Sequence, residues 1–502
     1  MTRTIRNLAL AIAVAAALAA FPHGLSRLQA QDHATTGAKP LAAPPSAAEA
    51  RADFLKAADE VLAEMSEILH LPPQGELRKS IRTREEIRRH LLKDFNDEKD
   101  KNERLADELL SKKLGLIPED MAWEPFLLDL LTEQIAGLYD PKTREFYIAD
   151  WIEPGDQREV MAHELTHALQ DEHFSIEKWA DAAKPNDDAE FARHSVLEGS
   201  AFAAMLDWQY RDRGLSVRDL PDLSGLLNPD VMGGGQKDSK FDKAPRFIRD
   251  VLLFPYLSGA VFTQKLLQEY DGWTGFNRVF DHPPASTQQI LHPDLYLKGV
   301  VPAAVTLPAL PASAAPKWRK LDQTVGGEFL LLEWIKEFTA TARAKDLAAL
   351  WTGDQYAVYV ETKPTGSAKA APDAKPAPDA KPVPGASMPH SLLIWRIATG
   401  SEADAARLFG GASQALQLRY EERTALLRRP NYFEFQTPQG GVFLRCVVRE
   451  CLLVDGADRT LYDELTSAMG WPAAPAAPRK PSDEGIARVL PPPEPNRAFA
   501  RF

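Results

Sequence analysis

Apolar positions recur at helical spacing along several stretches of this chain. Phe54, Leu55, Val61, Leu62, Met65 and Ile68 mark one amphipathic helix, which Pro72-Pro73 ends. A strongly charged stretch from Thr83 to Leu114 carries the stripe Ile87, Leu91, Leu92, Leu105 and Leu109 and reads as helix with a solvated face. Together these predict an N-terminal helical region over 51–122. Phe126, Leu127, Leu130, Leu131 and Ile135 predict a helix from Trp123 to Gly137. The turn signature Asp140-Pro141-Lys142-Thr143, followed by Phe146-Tyr147-Ile148, predicts a β-hairpin.

The segment Met161 to Gln170 reads as one helix without proline or glycine, and Phe191 to Arg211 as another. Leu220 to Lys243, with Gly233-Gly234-Gly235 at its centre, is expected to be a long loop or lid beside a cleft. A further helix covers Phe254 to Tyr270, and Ser286 is placed to cap a short helix that Pro293 stops. These elements make up a core over 123–300.

Residues 301–316 read as a Pro/Ala linker, and 317–469 as a C-terminal α+β region. In it a helix runs through Phe329–Ile335, and strands at Tyr356–Val360 and Ser391–Ile397 are expected to pair. The Ala-Pro-Asp-Ala-Lys-Pro repeats inside 363–388 cannot build a core, so that segment reads as a disordered insertion in an overgrown hairpin loop. Glu402–Leu418 is predicted helical, and Val442–Val454 forms further strand around Cys446 and Cys451. The Pro/Ala-rich lead at 31–50 and tail at 470–502 are expected to be disordered. The overall expectation is an α+β, mainly helical fold with a short β-sheet beside the helix at 161–170.

Composition changes this picture at three points. The 502 residues carry a formal charge of −12 with both signs mixed, and no long basic tract is present, which argues against a nucleic-acid partner. Arg3 and Arg6 precede an unbroken apolar run from Leu8 to Ala20, and Leu28-Gln29-Ala30 resembles a processing site. Residues 1–30 therefore read as an export signal, with an uncleaved anchor left open because Leu28 fits the cleavage pattern imperfectly. The expected location is extracytoplasmic, periplasmic or secreted, with any membrane association through the N-terminus alone. Cys446 and Cys451, the only cysteines, either bridge across a tight turn or remain thiols.

The candidate chemistry lies in His163-Glu164-Leu165-Thr166-His167. His163 and His167 stand about one helical turn apart on one face, as two nitrogen ligands for Zn2+ must. Glu164 lies about 100° round the helix, where a carboxylate can take a proton from a metal-held water. A third ligand is needed if one position is to stay open for water or substrate. Glu198, flanked by Gly199 and Ala201 that allow close helix packing, is favoured for it. The rival is His173, ten positions after His163, but Gln170 occupies the place where that longer pattern needs a glycine to turn the chain. His173 is then a local structural residue. Asp171 is a candidate to orient His167, and His194 is a second candidate supporting residue. His292 or Tyr296 could steady a developing oxyanion, and a capped surface turn explains that cluster equally well.

Four blocks together carry a family resemblance: Glu133-Gln134-Ile135-Ala136-Gly137-Leu138-Tyr139-Asp140-Pro141, His163–Asp171, Leu197-Glu198-Gly199-Ser200-Ala201, and Pro284–Pro293. With them the chain resembles a group of predicted extracytoplasmic bacterial zinc metallopeptidases, and more broadly the gluzincin side of the zinc proteases. The resemblance implies His163, His167 and Glu198 as zinc ligands, Glu164 as catalytic residue, and a protein or peptide substrate. It departs from the group at Gln288, where relatives carry Glu. Two alternatives are an exported binding or assembly protein that uses zinc for structure or needs none, and a zymogen whose N-terminal helices cover the cleft.

Overall fold

The computed structural model describes residues 47–95, 101–152, 154–225, 239–362 and 389–475. The expected signal, lead and tail, the glycine-rich centre of the loop and the Ala/Pro insertion lie outside those residues. Among the described residues no helix is long and apolar enough to cross a membrane.

The described residues begin with helix α1 (Ala47–Leu69), strand β1 (Arg78–Arg82), and helices α2 (Arg84–Phe95) and α3 (Lys101–Lys113). Helix α4 (Trp123–Gln134) leads into the predicted hairpin, β2 (Gly137–Asp140) and β3 (Glu145–Ala149). Strand β1 pairs parallel with β3 and completes a three-stranded sheet of order β1-β3-β2. The sequence Arg78-Lys79-Ser80-Ile81-Arg82 has no apolar alternation, so it gave no strand signal. Polar partners hold it instead: Ser80 donates to Glu145 at 2.6 Å and Arg82 pairs with the same carboxylate at 2.7 Å.

Helix α5 (Pro154–Phe174) packs against this sheet on one side and α1 on another, and a short α6 (Ile176–Asp181) follows. Helix α7 (Asp187–Tyr210) and the later α9 (Arg246–Glu269) pack along each other, with α8 (Lys240–Lys243) between them in sequence. At the α7–α9 crossing the backbones nearly touch: a Cβ added to Gly199 would fall 2.0 Å from the carbonyl carbon of Gly259. Only paired glycines permit that approach. Short helices α10 (Trp273–Phe276), α11 (Thr287–Leu291) and α12 (Pro293–Leu297) close the core. Ser286 occupies the N-cap of α11, but its side chain makes no capping bond; Asp188 instead accepts from the Thr287 N–H at 3.1 Å and hydroxyl at 2.5 Å.

The C-terminal region is a seven-stranded antiparallel sheet, larger than the sequence suggested. Its strands are β4 (Trp318–Thr324), β5 (Trp351–Glu361), β6 (Ser391–Thr399), β7 (Thr424–Arg429), β8 (Tyr432–Thr437), β9 (Gly440–Val447) and β10 (Glu450–Ala457), in spatial order β4-β5-β6-β10-β9-β8-β7. The expected pairing of β5 with β6 holds, with Tyr356 opposite Trp395 and Val360 opposite Ser391. Period-two alternation splits the strands cleanly. Leu393 and Trp395 face the main core with α13 (Gly327–Phe338) and α15 (Glu402–Arg419), which flank α14 (Thr341–Ala348). Leu392 and Ile394 face a second core closed by α16 (Arg459–Ala468). Cys446 and Cys451 sit directly opposite each other on β9 and β10 and form a disulfide.

Two expectations change here. The 301–316 stretch is no free linker: Ala303 bonds Thr352 at 2.7 Å, Leu307 bonds Gln355 at 3.1 Å, and Leu307, Leu310 and Ala314 pack on the second core. The charged stretch is not a solvated face throughout. Lys113 is 1% exposed and pairs with Asp455 at 2.7 Å, an attraction made strong by burial and supplied from 342 residues away. Helices α2 and α3 pack on α4 and the C-terminal sheet, respectively, while α1 packs on α5.

Candidate metal centre

Helix α5 carries His163 and His167 one turn apart, and α7 carries Glu198 across from them. All three side chains are buried, at 1%, 1% and 0% exposure. His163 Nε2 lies 3.1 Å from Glu198 Oε2, His167 Nε2 lies 3.2 Å from His163 Nε2, and His167 Nε2 lies 3.5 Å from Glu198 Oε2. Three lone-pair atoms thus form a nearly equilateral triangle. Ligand bonds of about 2.0–2.1 Å to a tetrahedral ion put neighbouring ligand atoms about 3.3–3.4 Å apart, so the triangle has the size of one face of such a site. Glu198 Oε1 is buried with no protein partner, as are Nδ1 of His163 and of His167. A carboxylate left with an unused buried oxygen beside two imidazole nitrogens fits a divalent cation by its chemistry. Among the described residues this is the one group of three or more His, Cys, Asp or Glu side chains with that convergence.

Local electrostatics follow from burial. Burial lowers the His163 pKa below the usual value. Burial pulls His167 the same way, but the Glu198 carboxylate, aided by Glu164 and Gln170, turns the net shift upward. Burial would raise Glu198, yet His167 and the bond from His163 hold its carboxyl well below the usual range.

Glu164 is 1% exposed, and burial pushes its pKa up to about 7 against the opposing pull of His167. Its Oε2 accepts the Tyr139 backbone N–H at 2.9 Å. That donor is free because Ala149 N–H bonds Ala136 O, which makes the Tyr139–Phe146 pair a non-hydrogen-bonded one in the alternating antiparallel ladder. The close approach of β2 to α5 rests on Gly137, where a Cβ would meet Val160 at 2.7 Å.

Of the other predicted residues, His173 is outside the centre: its ring contacts Pro72 O at 2.8 Å and the Gln74 amide at 3.0 Å. Asp171 does not orient His167. Its two oxygens take the Tyr139 hydroxyl at 2.8 Å and the Ile176 N–H at 3.1 Å, tying β2 and the start of α6 to α5. His194 is buried on α7, one turn before Glu198. His292 belongs to another junction, where it bonds the buried Glu328 at 2.8 Å; that bond, first among its influences, raises its pKa. Tyr296 donates to His282 O at 2.6 Å, and Gln288 donates to Trp351 O at 2.8 Å. Thr287, beside Gln288, is bound to Asp188, and along α7 Asp188 stands about 15 Å from Glu198 at helical rise. The Pro284–Pro293 block therefore joins the core to the C-terminal sheet.

Three neighbours gave no signal in sequence. Tyr256 of α9 stacks on the His163 ring with centroids 5.7 Å apart. Gln170 Nε2 donates to Ser200 Oγ at 2.8 Å, linking α5 to α7. The Tyr139 N–H on Glu164 is a backbone group and invisible to any motif.

No protein-family model, curated protein or solved structure matches the chain. What fold and site define is an α+β, mainly helical protein with a buried His163/His167/Glu198 cluster able to chelate a metal ion.

Proposed function

We propose that this chain is an exported zinc metallopeptidase of gluzincin type, with His163, His167 and Glu198 holding Zn2+ and Glu164 acting as general base on a protein or peptide substrate. The observation that carries this is the triangle of Nε2, Nε2 and Oε2 atoms with the Glu164 carboxylate on the same helix turn. When bound, the ion supplies Lewis acidity to a water and to the scissile carbonyl. Glu164, buried on the same helix turn as the triad, is placed to take the water proton and return it to the leaving nitrogen. The Tyr139 N–H fixes one oxygen of that carboxylate. Export is supported by the Arg3/Arg6 and Leu8–Ala20 pattern and by the Cys446–Cys451 bridge, which persists in an oxidising compartment.

Burial of the triad and of Glu164 favours a second reading, a zinc-stabilised binding or assembly protein without turnover. Glu164→Gln separates the two. The peptidase reading expects unchanged zinc content and loss of cleavage of a peptide library read by mass spectrometry, by at least about a hundredfold. Cleavage at the wild-type rate in the variant removes Glu164 from the mechanism; no cleavage by zinc-loaded wild type favours the structural role.

A further inference from the structure

The proton order around Ser200 dictates how the His167 ring must sit. Ser200 Oγ–H has one proton, and its hydroxyl lies 3.0 Å from Leu197 O, a backbone carbonyl that can only accept. With that proton committed, Ser200 Oγ can only accept from Gln170, whose amide lies 2.8 Å away. The Gln170 side chain must therefore present its NH2 to Ser200, which fixes the amide orientation and leaves Oε1 as an acceptor. Gln170 Oε1 is buried without a hydrogen-bond partner. One turn earlier on the same helix face, His167 Nδ1 is also buried without one. One is an acceptor and the other can be a donor.

We propose that Gln170 is the positioning residue for His167: anchored by Ser200, it accepts a hydrogen bond from Nδ1–H and so keeps the Nε2 lone pair free for the metal. Two links of that chain of donation are in place, Gln170 N–H to Ser200 Oγ at 2.8 Å and Ser200 O–H to Leu197 O at 3.0 Å; the proposal adds the first, His167 Nδ1–H to Gln170 Oε1, between two atoms that otherwise have no partner. The chain crosses from α5 to α7, joining the helix of the two histidines to the helix of Glu198. This gives Gln170 a role that Asp171, bound to Tyr139 and Ile176, does not fill. Partners of this kind fix the tautomer and orientation of a ligating histidine and typically change metal affinity about 10–100-fold.

The inference rests on the metal-site reading, not on peptidase activity, and its test is independent of turnover. Nitrogen-15 NMR of the metal-free protein, at a pH where the His167 ring is neutral, reads which nitrogen carries the proton; zinc competition reads affinity. Wild type is expected to show the Nδ1–H tautomer. Gln170→Leu should lose that preference and bind zinc about 10–100-fold more weakly. Gln170→Glu, which retains an oxygen acceptor, should keep the tautomer. Ser200→Ala, a smaller change that guards against misfolding, should weaken the preference with the melting profile still cooperative. An Nε2–H tautomer in wild type, or the same Nδ1–H tautomer and zinc affinity in Gln170→Leu as in wild type, overturns the proposal. Absence of zinc from wild type would count against the metal-site reading while the tautomer measurement still decides the role of Gln170.

Discussion

Two buried polar clusters in this protein solve the same problem in opposite ways. At the junction of the core with the C-terminal sheet, Asp354 is 2% exposed and takes four donors: Gly326 N and Gly327 N, each at 2.9 Å, Trp351 Nε1 at 2.8 Å and Trp395 Nε1 at 2.7 Å. Its bonding capacity is filled by protein. At the His163/His167/Glu198 centre the burial is as deep, yet three metal-ligating atoms converge and Glu198 Oε1 lacks a protein partner. A buried group left so incurs a desolvation cost unless something else binds it. The first cluster is built for cohesion, and the second is able to chelate a cation.

Removing the carboxylate at each cluster should therefore have different consequences. Asp354→Ala strands four buried N–H donors and is expected to cost roughly 4 kcal/mol or more of stability, with zinc affinity unchanged in whatever fraction stays folded. Chemical denaturation together with zinc competition checks both halves. Loss of zinc affinity in folded Asp354→Ala would mean that the two clusters are coupled.

A smaller effect concerns pH. Asp188, at the same junction, is pushed up to about 7 by burial, with nearby Asp354 adding to the rise. An ordinary aspartate titrates near 3.8. Between these values the folded chain holds a proton that the unfolded chain has released. Stability is therefore expected to fall as pH rises across that window, by up to about 1.4 kcal/mol per pH unit, with the favourable contribution complete below the window and gone above it. Asp188→Asn should flatten the slope in urea denaturation of the metal-free protein. An unchanged slope would place the titration elsewhere.

The contrast also explains what could be read in the sequence. The convergence of His163 and His167 was legible because metal-ligating groups on one helix must follow its period, and that of Glu198 because small flanking residues announce a tight helix crossing. The β5–β6 pairing was legible from alternation on both sides of the insertion. Strand β1 was not, since Ser80 and Arg82 are held by Glu145 rather than by an apolar face. Nor were the buried charges of α3, because the partner of Lys113 is brought to it by the fold alone. Asp171 and His292 have suitable chemistry for the roles first assigned to them, but tertiary contacts commit them to Tyr139 and to Glu328. Sequence spacing finds groups on one element; it does not find which groups are already satisfied across elements.

The most direct test of the metal centre is zinc stoichiometry and affinity of the purified protein, compared with Glu198→Ala and with His173→Ala as control. About one zinc per chain is expected in wild type and in His173→Ala, with a loss of affinity of at least about a hundredfold in Glu198→Ala. Equal affinity in Glu198→Ala, or no zinc in wild type, would contradict the assignment of the triad as a metal site.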